Sequence, residues 1–272
     1  MTSVTAVVLT FNEEHNLQRT LEALTWLPRI VIVDSGSSDS TAEIARSFSN
    51  VRFFERPFDT HAQQWNFGLA QIATDWVLTL DADYVVSSEL AREIETLQSA
   101  PDVAGYTANF EYVVFGGPLR ASIYPPRVVL FQTKLGRYVD EGHTQQLRIG
   151  GKIEKLRSTI LHDDRKPLSR WISSQDRYAK LEAEYLGNAE CGMRTEEASK
   201  SEIRNQKSEI PQLSLQDKLR KMIFVTPIIM PVYLLLGRGL ILDGWRGWYY
   251  VFQRTLAEMM LSLRLIERKL KS

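Results

Sequence analysis

The first hundred residues alternate short β-branched and apolar runs with longer stretches at helical spacing, the pattern of crossover units around a mainly parallel sheet. Strands are expected at Val4 to Leu9, Ile30 to Asp34, Val51 to Glu55 and Trp76 to Asp81. Helical spacing places helices at Glu13 to Leu24, Ser40 to Phe48, His61 to Ile72 and Ser87 to Ser99, with Asp39 and Ser40 as caps. From Val103 to Leu161 the chain is richer in aromatic, β-branched and glycine residues and shows no clear helix. That section reads as a mixed sheet completing the same domain, suited to acceptor binding. The expected fold class is α/β, a Rossmann-like mixed sheet flanked by helices.

Beyond residue 165 the periodicity changes. A helix is expected from Leu168 to about Asn188, with Trp171, Ile172, Tyr178, Leu181 and Tyr185 as an irregular apolar stripe. Gly192 to Gln216 is polar and mixed in charge, and reads as a linker or a solvated helix. Met222 to Gly237 carries no charge, yet it is shorter than the roughly 20 residues of a spanning helix, and Pro227 and Pro231 interrupt it. The last helix, Gly247 to about Lys269, sets Arg254 and Glu258 one turn apart among large apolar residues. One reading of this tail is a buried soluble helix. The other is an interfacial or re-entrant anchor, favoured by Lys218, Arg220 and Lys221 on its flank and by the aromatic cluster of Trp245, Trp248, Tyr249, Tyr250 and Phe252. The expected division is a catalytic domain over 1–165 (a nucleotide-binding half, 1–100, and an acceptor half, 101–165), a helix and polar linker over 166–216, and membrane-associating helices over 217–272.

Composition narrows the setting. A chain of 272 residues with 44% hydrophobic content can bury a full core. Its single cysteine, Cys191, excludes an intramolecular disulfide framework and a cysteine-rich zinc site, which fits a reducing compartment. Val4 to Leu9 is too short for a secretory signal and is followed by Asn12, Glu13 and Glu14. The net charge of zero hides a segregation: ten basic residues against three acidic ones lie from Lys218 onward. A basic, apolar, aromatic tail on an acidic body points to an anionic membrane surface rather than nucleic acid.

Candidate chemistry gathers at the expected strand ends, where ligands bind in such sheets. Asp81-Ala82-Asp83 ends an apolar run, and alternation would put both carboxylates on one side of an extended backbone. Two such oxygens suit Mg²⁺ or Mn²⁺, with substrate phosphates and water completing the shell; the plain alternative is a turn or a cap. Asp34 opens a run of small residues, Ser35-Gly36-Ser37-Ser38, that leads through Asp39 into a helix, a turn suited to a nucleotide. Thr10-Phe11-Asn12-Glu13-Glu14 stands where a pyrophosphate-binding Gly-x-Gly-x-x-Gly would follow strand one, which argues against a dinucleotide oxidoreductase.

Taken in order, Val7 to Glu14, Ile32 to Thr41 and Asp75 to Asp83 resemble the signature of family 2 glycosyltransferases with the GT-A fold. Asp140-Glu141-Gly142-His143, His162, Arg177-Tyr178 and Leu242-Asp243-Gly244-Trp245-Arg246-Gly247 are similar to the lipopolysaccharide core glucosyltransferase branch. The resemblance implies that Thr10, Asn12, Glu13 and Ser35 line the donor nucleotide, that Asp34 reads its base with Asp39 close by, and that Asp81 faces the ribose or the metal. It makes Asp83 the ligand of a Mg²⁺ or Mn²⁺ ion on the donor diphosphate, and puts Trp65 and Asn66 near the donor sugar. Glu141 is implied as the base of an inverting transfer, although this chain has Asp140 where branch members show His before that Glu. His143 and His162 are open between metal ligand, diphosphate contact and structural residue, and Arg127 and Arg177 between phosphate contact and surface charge. The partners implied are a nucleoside diphosphate sugar, UDP-linked, and a glycolipid or polyprenyl-linked acceptor at the cytoplasmic face of the inner membrane. The protein would be peripheral or monotopic there, and a homo-oligomer stays open. The rival readings are a sugar nucleotidyltransferase, which lacks its glycine-rich basic loop here, and a non-catalytic nucleotide-sugar-binding membrane adaptor.

Overall fold

A computed structural model of the chain describes residues 3–141, 144–191, 220 and 222–271, and the chain divides into two compact units, Met1–Lys166 and Pro167–Ser272. In the first unit β1 (Val4–Thr10), β2 (Ile30–Asp34), β3 (Val51–Glu55) and β4 (Trp76–Asp81) are joined by α1 (Leu17–Glu22), α2 (Thr41–Arg46) and α3 (His61–Ala70). Then come β5 (Tyr84–Val86), α4 (Ser88–Thr96), β6 (Val103–Val114), β7 (Gly117–Pro118), β8 (Arg127–Gln132), β9 (Gly136–Glu141), β10 (Thr144–Ile149) and β11 (Lys152–His162). The main sheet runs β3-β2-β1-β4-β8-β6-β11-β5, with β7 on β6, while β9 and β10 form a separate hairpin.

Strands β3, β2, β1 and β4 are parallel, and the mixed character begins where β8 pairs antiparallel with β4. Register brings the strand-end residues together: Thr10 pairs with Asp34, and Leu9 with Asp81. On the far side, His162 at the end of β11 lies opposite Tyr84 of β5, one residue after Asp83.

Alternation along the strands fills both faces. Ala6 and Val8 turn toward α1 and α4, where Leu17, Leu21, Leu90 and Ile94 are fully buried, while Val7, Val31 and Val33 turn toward Trp65 and Leu69 of α3. Each such side chain contributes roughly 1.5–3 kcal/mol on burial. Helix α3 lies so close to β1 that a Cβ on Gly68 would come within 2.5 Å of Val7 Cγ1.

Two expectations are modified. Helix α1 starts at Leu17 rather than Glu13, because the backbone before it is spent on loop contacts: Glu13 N–H donates to Thr41 Oγ1 at 2.6 Å and Glu14 N–H to Asp39 Oδ2 at 3.3 Å. Strand β4 ends at Asp81 as expected, but the extended backbone that was to put Asp81 and Asp83 on one side does not continue: Ala82 and Asp83 form a turn, and the Ala82 methyl is buried.

Among the described residues the second unit contains α5 (Leu168–Cys191), α6 (Val225–Val232), a π turn over Tyr233–Gly237, a 3-10 turn over Leu240–Asp243, and α7 (Gly244–Lys271). Ala179, Ala183 and Leu186 pack with Ile223, Leu261 and Leu265. Arg220 bridges Glu182 at 3.1 Å and Glu258 at 3.3 Å. The elbow before α7 depends on glycine: Gly239 and Gly244 have positive φ, and a Cβ on Gly247 would meet the Leu240 carbonyl oxygen at 1.9 Å. Among the described residues no single helix is long and apolar enough to cross a membrane, whereas Val225–Gly237 and Leu240–Lys271, bent by 73°, pass that test together. The polar segment expected as a linker, 192–216, lies outside the described residues.

Candidate active site

The loops after β1 and β2 form one hydrogen-bonded body. Asp34 is buried and saturated: its Oδ1 accepts from the hydroxyls of Thr10 (2.7 Å) and Ser37 (2.6 Å), and its Oδ2 from the N–H groups of Gly36 (3.0 Å) and Ser37 (2.7 Å). The Asp34 side chain thus organises the loop around itself. Asn12 adopts φ 55°, a left-handed conformation that asparagine tolerates, and its Oδ1 accepts from Ser38 N–H at 2.8 Å while its own N–H donates to Ser37 Oγ at 2.7 Å. Asp39 Oδ1 accepts from Thr41 N–H at 3.0 Å, and Ser35 Oγ accepts from Gln64 Nε2 at 3.0 Å.

Beside this body stand Asp81 and Asp83. Burial and the charge of Asp83 raise the Asp81 carboxyl, with Arg127, whose Nη1 lies 4.0 Å from Asp81 Oδ2, pulling the other way. For Asp83 burial is opposed by His162 and Lys166, which prevail and hold it below the ordinary carboxylate range; His162 Nε2 is 3.3 Å from Asp83 Oδ2. The other oxygen, Asp83 Oδ1, is buried without a hydrogen-bond partner, as is His162 Nδ1. The rings of Tyr84, Tyr112 and Tyr124 surround His162 at centroid distances of 5.2, 4.6 and 4.7 Å, and the Arg127 guanidinium lies over Tyr124 at 4.9 Å.

After β11 the chain folds back as a strap across these groups. Asp163 N–H donates to the Asp83 carbonyl at 3.0 Å, Arg19 Nη1 pairs with Asp163 Oδ2 at 2.5 Å, and Asn16 Nδ2 donates to both Glu13 Oε2 and Asp164 Oδ1 at 3.0 Å. Lys166 closes the strap with its Nζ 2.7 Å from Glu13 Oε1. Burial works against that ammonium, but Asp83, Glu13 and Asp164 together raise its pKa. Burial pushes the Glu13 carboxyl up to about 7, against the pull of Lys166, and Asp83 adds to the rise.

The β9–β10 hairpin is positioned from α3. Asn66 uses its whole amide on Tyr138, donating to the carbonyl at 2.8 Å and accepting from the N–H at 3.0 Å, while Trp65 is buried and stacks on Tyr138 at 5.2 Å. Asp140 Oδ2 accepts from Thr60 Oγ1 at 3.0 Å. The Glu141 side chain and His143 lie outside the described residues. Arg177 and Tyr178 fall on α5, in the second unit.

The structure therefore brings together Thr10, Asn12, Glu13, Asp34, Ser35, Asp39, Asp81, Asp83 and His162 at one sheet edge. Sequence reasoning passed over Asn16, Arg19, Asp163, Asp164 and Lys166. The one signal was the dense charge of Asp163-Asp164-Arg165-Lys166 directly after a strand. Among the described residues no group of three or more His, Cys, Asp or Glu side chains is disposed to hold a metal ion.

A family model described as "Glycosyl transferase family 2" matches residues 5–146. The lipopolysaccharide core biosynthesis glycosyltransferase LpsC of Rhizobium meliloti (strain 1021) is 28% identical over 194 residues, 66% of this chain and 70% of LpsC. An uncharacterized glycosyltransferase of Rickettsia typhi (strain ATCC VR-144 / Wilmington) is 28% identical over 109 residues, 40% of this chain and 37% of that protein. Among solved structures, S. aureus TarS 1-349 in complex with UDP-GlcNAc is matched at a TM-score of 0.49 and 12% identity, over 100% of this chain and 93% of that one.

Proposed function

Because the chain belongs to glycosyl transferase family 2 and is a glycosyltransferase, we propose that it is a metal-dependent inverting enzyme using a nucleoside diphosphate sugar, UDP-linked. Its acceptor in this reading is a glycolipid or polyprenyl-linked sugar of lipopolysaccharide type, met at the cytoplasmic face of the inner membrane. The likeness to LpsC supports the acceptor class, and the basic, apolar tail supports the membrane setting. The observation that carries the reading is the buried, unpartnered Oδ1 of Asp83 beside Asp81, at the edge where the loops after β1 and β2 meet.

An anionic oxygen without a partner in a buried setting is costly unless a cation or donor meets it. Two carboxylates, with diphosphate and water oxygens, suit Mg²⁺ or Mn²⁺. Asp83 and Asp81 would hold that ion, and when bound it would neutralise charge on the departing nucleoside diphosphate. His143 is a further proposed ligand. Thr10, Asn12, Glu13, Ser35 and Asp39 form the proposed nucleotide wall, with Asp34 fixing its shape and Asn66 setting the neighbouring hairpin. Arg127 adds positive charge next to the acids, suited to the diphosphate.

In the transfer the acceptor oxygen bonds to the anomeric carbon as the bond from that carbon to the diphosphate breaks on the opposite face. The hydroxyl proton goes to a carboxylate, for which we assign Glu141, with Asp140 as its neighbour in β9.

A panel of nucleotide sugars with Mg²⁺, Mn²⁺ or chelator, read by thermal shift and by transfer, tests the reading. One donor should stabilise the protein only with metal, by about 2.7 kcal/mol at a hundred times its Kd. Asp83→Ala should abolish that shift and slow transfer on the order of a hundredfold or more. Unchanged transfer that still requires metal would remove Asp83 from the metal site.

A further inference from the structure

The second unit has an apolar core, yet it places an ion network inside that core and leaves large apolar side chains facing out. Along α7 the outward stripe is Trp245 (86% exposed), Phe252, Leu256, Met259 and Leu263 (64% exposed). A second stripe precedes it at four-residue spacing, Phe224, Ile228, Val232 and Leu236, all exposed. Beside the buried Ala179, Ala183, Leu186, Leu261 and Leu265, the packed side of these helices also holds the Glu182–Arg220–Glu258 ion pairs and the Ser262 hydroxyl, which donates to the Ile223 carbonyl at 2.5 Å. Glu258 is 6% exposed.

Water penalises both halves of this arrangement. Each large side chain left in water forgoes roughly 1.5–3 kcal/mol, and a buried ion pair recovers little or nothing of its desolvation cost. Lipid reverses the preference, because ionisable groups at membrane depth face the bundle interior and pair with one another. We propose that the outer face of α6, the elbow and α7 is immersed in the acyl boundary of a single leaflet carrying anionic headgroups. Arg238 and Arg246, both exposed at the elbow, lie in the headgroup layer of that leaflet. The single leaflet follows from the bend: Val225–Gly237 and Leu240–Lys271 are long and apolar enough to cross only together, and they are bent by 73° between them. Anionic lipid matches the surplus of ten basic over three acidic residues from Lys218 onward, a surplus that would oppose the same face of a second copy. The inference rests on the membrane-bound reading given above and adds to it the face and the depth.

The test uses the full chain with Cys191→Ser and single cysteines at Ile228, Leu256, Leu263 and, as a control on the exposed side of α1, Gln18. Each is labelled with an environment-sensitive fluorophore and mixed with phosphatidylcholine vesicles with or without phosphatidylglycerol. Labels at Ile228, Leu256 and Leu263 should shift to the blue and be quenched by nitroxide-bearing acyl chains, while Gln18 should do neither. Leu256→Asp and Leu263→Asp should each weaken partitioning by roughly tenfold or more. Vesicle binding with all labels left in water, or unaffected by both Asp variants, would overturn the proposed face while leaving the membrane reading intact. Failure of the unsubstituted chain to bind vesicles of any composition would overturn the membrane reading itself. Labels already shielded without vesicles, in a species of doubled mass, would assign the face to a second copy and overturn the proposal.

Discussion

At Glu13, burial and Asp83 work against the ionised carboxylate while Lys166 works for it, and the balance leaves its pKa at about 7 against an ordinary value of 4.5. An acid raised in the folded state costs stability once it ionises, so this cost is absent below the unfolded value and complete above the folded one. Urea unfolding of the metal-free protein should therefore show stability falling by about 1–3 kcal/mol from mildly acidic to mildly alkaline pH. Glu13→Gln should flatten that decline; an equal slope in the variant would contradict it. For the proposed base, Glu141→Gln should cut turnover by roughly a hundredfold to ten-thousandfold and spare the thermal shift with donor and metal. Weak donor binding with normal turnover would refute the assignment. The acids at strand ends were legible in sequence because a carboxylate closing an apolar strand stands out. Lys166 and Asn16 were not, since the strap's contacts with Glu13, Asn16 and Arg19 join residues about 150 positions apart, and no local pattern encodes such a meeting.

Among the elements, β11 shows how an irregularity is made affordable. Its pairing with β6 slips between Lys155 and Thr159, and the freed N–H groups of Arg157 and Ser158 are taken up by the Glu93 carboxylate of α4 at 2.8 and 2.9 Å. Burial opposes the Glu93 charge, but these two backbone donors outweigh it and lower its pKa. The contact therefore supports the fold above the ordinary carboxylate range and fades as acid protonates it. Glu93→Ala should lower stability by about 1.5–3 kcal/mol, visible as a reduced Tm, whereas Glu89→Ala on the exposed side of α4 should change it little. Periodicity located β2, β3 and β4 to the residue, β2 and β4 because buried parallel strands are continuous apolar runs. It overextended α1, where polar residues suited to a helix were drawn instead into cross-loop hydrogen bonds. The slip in β11 left no sequence signal, since it depends on a carboxylate from another element.

At the scale of the whole molecule, each of the two units has apolar packing of its own among the described residues. The two that sandwich the main sheet draw on residues up to Ile160, and the helical cluster on residues from Ala179. A chain ending at Lys166 should therefore fold and keep its metal-dependent thermal shift with nucleotide sugar while losing vesicle binding, measured by flotation. Flotation of that fragment would relocate the membrane contact, and failure of the fragment to fold would contradict an independent first core. The first unit was readable from its strand-helix alternation. The tail was legible as apolar and basic, but which side chains face outward follows only from packing, because Arg254 and Glu258 occupy the same stripe positions that core residues would.

The Asn66 amide, fastened to both backbone groups of Tyr138, also acts on parity. In a two-stranded hairpin a slip of one position exchanges the faces of neighbouring residues, and positions 140 and 141 are both acidic. Under the proposed mechanism, which of the two would meet a substrate is thus an odd-or-even question, and Asn66 bears on it from α3, outside the hairpin.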